Sequence, residues 1–161
     1  MITLKKYAAI DIGSNAMRLL VTNIVEQKGQ PPQFNKSSLV RVPIRLGQDA
    51  FTVWEISDEN IQRMVDAMKA FSLLMKVHKV EKYKACATSA MREAYNGTDI
   101  VSLIKKKTDI KIDIIDGRKE AAIISSSDLK QFINSDKTYL YVDVGGGSTE
   151  FSIFSEGKIV T

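Results

Sequence analysis

Cysteine and histidine are almost absent from this chain: Cys86 and His78 are the only examples in 161 residues. A single cysteine excludes an intrachain disulfide and fits the reducing cytoplasm. Neither residue has the partners that a zinc site or a nucleophile–base pair requires, so both read as structural. Proline is scarce as well, confined to Pro31, Pro32 and Pro43. No apolar run approaches the roughly 18 residues of a membrane span, and the N-terminus lacks the apolar core of a signal peptide. Neither membrane insertion nor export is therefore expected. The excess of positive charge is small, 23 Lys and Arg against 19 Asp and Glu, a mild lean toward polyanions.

What remains is an ordinary globular composition, 44% apolar and 26% charged. The length suits one domain rather than a complete two-lobed protein. Basic residues gather at Lys76 to Lys84 and at Lys105-Lys106-Lys107. Both stretches read as helix ends, where cations meet the negative pole of the helix dipole; the other reading is contact with a phosphate chain or nucleic acid. Neither is interleaved with aromatics as a nucleic-acid platform would be, so no nucleic-acid partner is expected.

The most informative stretch is YLYVDVGGGSTEFSIF, Tyr139 to Phe154. An apolar, β-rich run ends at Asp143, a glycine turn follows at Gly145, Gly146 and Gly147, and Ser148 and Thr149 open a return strand. Consecutive glycines reach the positive φ values of a tight turn at no steric cost. Their N–H groups make a concavity suited to phosphate oxygens. The carboxylate beside them suits hydrated Mg²⁺, which prefers one or two carboxylates plus phosphate and water. A counterpart, YAAIDIGSNAMRLLVT, lies at Tyr7 to Thr22. It sets Asp11 over Asp143, Gly13 over Gly145, and Ile10, Ile12, Leu19 and Val21 over equivalent apolar positions. A phosphate-binding hairpin used twice suggests two halves facing one cleft.

In chain order, strands are expected at Tyr7–Ile12, Met17–Val25 and Lys36–Leu46, the third at a sheet edge or bulged at Pro43. Ser57 caps a helix over Asp58–Val77, with Ile61, Met64, Val65, Met68, Phe71 and Met75 at helical spacing. Its methionines read as core. A short buried strand spans Tyr83–Ala87 and a helix Ser89–Tyr95. Thr98 then caps a helix over Asp99–Lys107, Ile110–Ile115 alternates as a strand, and a helix follows from Arg118 to about Ile133. Three antiparallel strands followed by helix, strand, helix, strand, helix is the succession of a ribonuclease H-like α/β lobe with a mixed sheet. Duplicated, it gives the two-lobed fold of actin, sugar kinases and the heat-shock ATPases. Residues 1–132 would form one lobe, and residues 133–161 would begin a second, truncated one. Missing second-lobe strands would leave an open edge, so a homodimer is a reasonable expectation.

Glu120 lies one turn into the last helix. On local grounds it is either a water-orienting acid at the joint between lobes or a first-turn glutamate favoured by the helix dipole. Four stretches decide family: AAIDIGSNAMRLLV at Ala8–Val21, ATSAMREAYN at Ala87–Asn96, IIDGRKEA at Ile114–Ala121 and VDVGGGSTE at Val142–Glu150. In this order and spacing the chain resembles the exopolyphosphatase and guanosine pentaphosphate phosphohydrolase family over nearly its whole length. The resemblance implies hydrolysis of a terminal phosphoanhydride of polyphosphate or of a guanosine penta- or tetraphosphate. It implies phosphate contacts from Gly13, Ser14, Asn15 and from Gly145 through Thr149, and further contacts from Arg45 and Arg92. Asp11, Asp143 and Glu150 would lie on the Mg²⁺ side, and Glu120 would orient or deprotonate the attacking water. The pattern departs at Asp116, Lys119 and Ala122, where the family commonly has serine, glutamate and arginine. Two rival readings follow. One is a non-catalytic sensor of guanosine polyphosphates, favoured if Lys119→Glu restored activity; the other is a phosphotransferase, favoured by ATP binding without affinity for polyphosphate.

Overall fold

Alternation of apolar and polar residues dictates the first sheet. A computed structural model gives the fold, and residues 2–125, 136–147, 149–156 and 158–160 are described. Strands β1 (Ile2–Ile12), β2 (Ala16–Gln27) and β3 (Gln33–Pro43) form an antiparallel meander. Strand β4 (Lys82–Ala87) joins β1 in parallel, and β5 (Asp113–Ile114) joins β4, so the order is β3-β2-β1-β4-β5. Because side chains alternate across a strand, Ala8, Ile10 and Ile12 of β1 and Met17, Leu19 and Val21 of β2 are buried together on one face. The opposite face carries Ala9, Asp11, Arg18, Lys84 and Cys86.

The buried face is covered by α2 (Asp58–Val77) and α4 (Gly97–Thr108), which pack on each other. Within α2, Met64, Met68 and Phe71 are fully buried, as its period requires. The Ser57 hydroxyl accepts a hydrogen bond from the Asn60 N–H at 3.4 Å. The expected helix and cap are therefore present as read. Short helices α1 (Leu46–Ala50) and α3 (Ser89–Glu93) flank the N-terminal turn, and α5 (Gly117–Ser125) follows β5. The remainder of the helix expected to Ile133 lies outside the described residues. No helix among the described residues is long and apolar enough to cross a membrane.

Several boundaries differ from the sequence reading, each for a tertiary reason. Strand β1 begins at Ile2 because its ladder with β2 runs out to Gln27, beyond the core. Strand β3 does lie at the sheet edge, but its irregularity is at Ser37, skipped where Val21 and Thr22 of β2 face Ser38 and Lys36, and Pro43 is the last strand residue. Helix α4 begins at Gly97 instead of after Thr98. Asn96, before it, spends its side-chain amide on both backbone groups of Ile56, at 3.0 and 2.8 Å, instead of on a cap. Of the basic stretches, Lys105–Lys107 does end α4 and Lys76 does lie in the last turn of α2, whereas Lys82 and Lys84, at the far end of that stretch, belong to β4.

A second sheet contains β6 (Tyr139–Val144), β7 (Thr149–Ser155) and β8 (Lys158–Ile159), in that order and antiparallel. Leu140, Val142, Val144 and Phe151 are exposed on one of its faces. Phe154 is buried on the other, edge-on to Tyr141.

Candidate active site

The N-terminal turn, Gly13 to Asn15, is fixed by what surrounds it. Gly13 N–H closes it by donating to the Ala16 carbonyl at 3.1 Å. The Ser14 carbonyl accepts from Gly47 N–H at 2.8 Å and the Asn15 carbonyl from Arg45 N–H at 2.9 Å. Arg45 reaches this position in the left-handed region, φ 64°, which any side chain but glycine adopts at a cost. Buried Ser14 also shares a 3.0 Å hydroxyl–hydroxyl hydrogen bond with Ser89. The turn is thus locked between the starts of α1 and α3.

The β6–β7 turn lies against it. A Cβ built on Gly146 would sit 3.0 Å from Asn15 Nδ2 and 3.3 Å from Ser14 Cβ, and one on Gly147 would collide with the Phe51 ring. Neither glycine has a positive φ. The expectation that they serve a positive-φ turn is corrected here: at these two positions, absence of a side chain permits close approach. The Asp–turn–strand repeat holds in register, with Asp11 opposite Arg18 in the first hairpin and Asp143 opposite Glu150 in the second.

Between the turns opens a cleft of about 930 Å³. Gly13, Ser14, Asn15, Gly145 and Gly146 line it, as do the carboxyl-bearing residues Asp11, Asp143 and Glu120. Glu120 is partly buried and stands in the first turn of α5, its N–H donating to the Asp116 carbonyl at 3.0 Å. The Asp116 carboxylate accepts from the Lys119 N–H at 2.7 Å. Asp116 therefore caps the start of α5 through a side-chain oxygen.

Other expected residues sit elsewhere. Arg92 is not on the cleft wall: its Nη1 donates to the Ile115 carbonyl at 3.1 Å and its Nε to Glu93 at 3.3 Å. The Arg45 side chain is exposed and off the wall too, although its backbone holds the turn. Gly147 packs on Phe51, and Thr149 opens β7 away from the cleft. Ser148 and the Glu150 side chain lie outside the described residues.

Sequence reading missed five wall residues with polar or thiol side chains: Arg18, Lys84, Cys86, Thr88 and Ser89. Thr88 and Ser89 were within reach, as the polar pair where a strand meets a helix. The other three face the cleft through strand alternation and show only once the register is known. Arg18 Nη1 donates to Asp11 Oδ2 at 2.8 Å, and Lys84 pairs with Asp113. That pairing holds the Lys84 ammonium above its ordinary pKa, while burial pushes the Cys86 thiol up.

No three His, Cys, Asp or Glu residues come together as a metal cage among the described residues. The site nonetheless fits Mg²⁺. Asp11 and Asp143 offer hard carboxylate oxygens to one cleft, and this ion takes one or two carboxylates with phosphate and water instead of an all-protein cage.

The model of the Ppx/GppA phosphatase family matches residues 23–161. The chain is 34% identical over 150 residues to the bifunctional 3-dehydroquinate synthase/phosphatase of Fusobacterium nucleatum, covering 91% of this chain and 22% of that protein. To the guanosine-5'-triphosphate,3'-diphosphate pyrophosphatase of Photobacterium profundum it is 33% identical over 151 residues, 94% of this chain and 29% of that protein. A solved exopolyphosphatase from Cytophaga hutchinsonii superposes with a TM-score of 0.82 at 28% identity, over 98% of this chain and 49% of that one. The chain thus spans half or less of the length of these relatives. With a ribonuclease H-like fold, paired Asp–glycine hairpins and a family match over most of its length, the chain belongs to the Ppx/GppA phosphatase family.

Proposed function

We propose that this cleft serves hydrolysis of a terminal phosphoanhydride, with inorganic polyphosphate or a guanosine penta- or tetraphosphate as substrate. One observation carries the reading: Glu120 lines the same cleft as both glycine turns. Phosphoryl transfer asks the protein for positioning and charge neutralisation. Backbone N–H groups of the two turns, the Ser14 hydroxyl and Arg18 are the donors that would cradle the terminal phosphate. Glu120 is the acceptor that would hold water in line with the breaking bond and take its proton. Asp11 and Asp143, with Glu150, would hold Mg²⁺, which when bound supplies neutralisation of the phosphate oxygens. Residues 1–132 and 133–161 are then the two walls of the site. The names of two relatives, an exopolyphosphatase and a guanosine pyrophosphatase, support this substrate class.

The test is phosphate release from long-chain polyphosphate and from guanosine pentaphosphate with Mg²⁺, wild type against Glu120→Gln. A general base is worth about 10²–10⁴ in rate, so the variant should bind as before and turn over at least a hundredfold more slowly. No release from either substrate by the full-length wild-type protein would overturn the reading.

A further inference from the structure

We propose that Ser89 is a positioning residue for the phosphate site: its hydroxyl donates to the Ser14 hydroxyl, which leaves the Ser14 proton to point into the cleft at a phosphate oxygen. The inference rests on the function proposed above and adds a residue that acts through Ser14. Strand β4 brings it there. Ala87 pairs with Ile12 at the end of β1, Thr88 N–H donates to the Ile12 carbonyl at 3.2 Å, and α3 starts at the next residue. Ser89 is thus set beside the N-terminal turn, 75 positions along the chain from Ser14, with the two hydroxyl oxygens 3.0 Å apart.

Both serines are 5% exposed, and both line the cleft. A buried hydroxyl needs a hydrogen-bond partner, and among the described residues each is the other's. The Ser14 side chain is also closely walled: a Cβ built on Gly47 or on Gly146 would lie 3.2 or 3.3 Å from Ser14 Cβ. What is left to decide is where the protons go. Each hydroxyl has one proton and two lone pairs, so one of the two protons is spent between the oxygens and one remains. The geometry admits either direction between them. An ionised phosphate oxygen beside Ser14 accepts and cannot donate, so it selects the arrangement in which Ser14 donates outward and accepts from Ser89. The two hydrogen bonds then run in series, Ser89 to Ser14 to phosphate, and each polarises the other. Without Ser89 the Ser14 hydroxyl loses both its buried partner and its direction.

The test is tripolyphosphate binding to the full-length protein with Mg²⁺, measured for the wild type, Ser89→Ala, Ser14→Ala and the double variant. Ser89→Ala should weaken binding by about two- to tenfold, the usual worth of one hydrogen bond between neutral groups. Ser14→Ala should weaken it by about ten- to a hundredfold, since a hydrogen bond to a charged group is stronger. On the Ser14→Ala background, Ser89→Ala should cost less than about twofold, because Ser89 then has no hydroxyl to orient. Direct contact between Ser89 and the phosphate, or a general loosening of the turn, gives the same loss on both backgrounds and overturns the inference. Wild-type binding by Ser89→Ala overturns it too. If the wild type binds no tripolyphosphate, the phosphate site itself fails and the positioning role with it.

Discussion

A methyl group at Gly147 has only the Phe51 ring to enter, and Phe51 in turn is 3.0 Å from where a Cβ on Gly47 would lie. Gly47 donates to the carbonyl of Ser14. One aromatic side chain therefore connects the N-terminal turn to the β6–β7 turn, through two residues that tolerate it because they have no side chain. Gly147→Ala should destabilise the protein by about 1–3 kcal/mol, the usual cost of overpacking. Phe51→Ala in the same chain should recover much of that loss, a coupling that thermal melts of the single and double variants measure. Additivity of the two changes would show that the contact does not carry load. In the sequence the three glycines were legible as the turn of a hairpin. The reason for Gly147 was not, because Phe51 is far away in the chain and only the fold brings it near.

Among the elements, the start of α2 depends on a residue from a helix before it. Asp49 of α1 accepts from Ser57 N–H at 2.9 Å, from the Ser57 hydroxyl at 2.6 Å and from Asn60 Nδ2 at 2.8 Å. Burial pushes its carboxyl up, but the hydrogen bonds from Ser57 and Asn60 outweigh that and leave it below the ordinary carboxylate value. A depressed folded-state pKa contributes stability that is present above the unfolded value of about 3.9 and is lost as pH falls through the folded value. Asp49→Ala should thus cost about 1–2 kcal/mol at pH 7, at the low end for bonds to a charged group because the carboxylate is partly solvated. Urea midpoints of wild type and variant should converge as the pH drops below about 4; a constant gap would refute the assignment. Helix α2 itself was legible to its ends, since twenty residues of period 3.6 and a serine cap agree. Helix α1 was not, because five residues carry no period and Leu46–Ala50 is shaped by hydrogen bonds from Arg45 and Gly47 to the N-terminal turn. Likewise the alternation from Ile110 marked the burial of Ile110 and Ile112 correctly, but it fails beyond them, where Ile114 is only partly buried and Ile115 is buried, and pairing with β4 is confined to Asp113–Ile114.

For the molecule as a whole, duplication of the Asp–glycine hairpin made the two walls of the cleft readable, since a repeated motif needs no knowledge of contacts. Lys84 and Cys86 stayed hidden because facing a cleft is a property of register, which pairs β4 residues with β1 residues 75 positions earlier. That same pairing sets the order of events in folding. The β1–β2–β3 meander and the β6–β7 hairpin close over short spans, whereas β1 meets β4 only after the whole intervening segment has been gathered in, a slow, non-local step. Asp11 and Cys86 become neighbours at that step, so the cleft is expected to form late in folding and to be lost early in unfolding. A polyanion bound there acts on the native side of the barrier. With polyphosphate present, the unfolding arm of a denaturant chevron should fall while the refolding arm stays where it was. A faster refolding arm would mean instead that β1 and β4 have already met in the transition state.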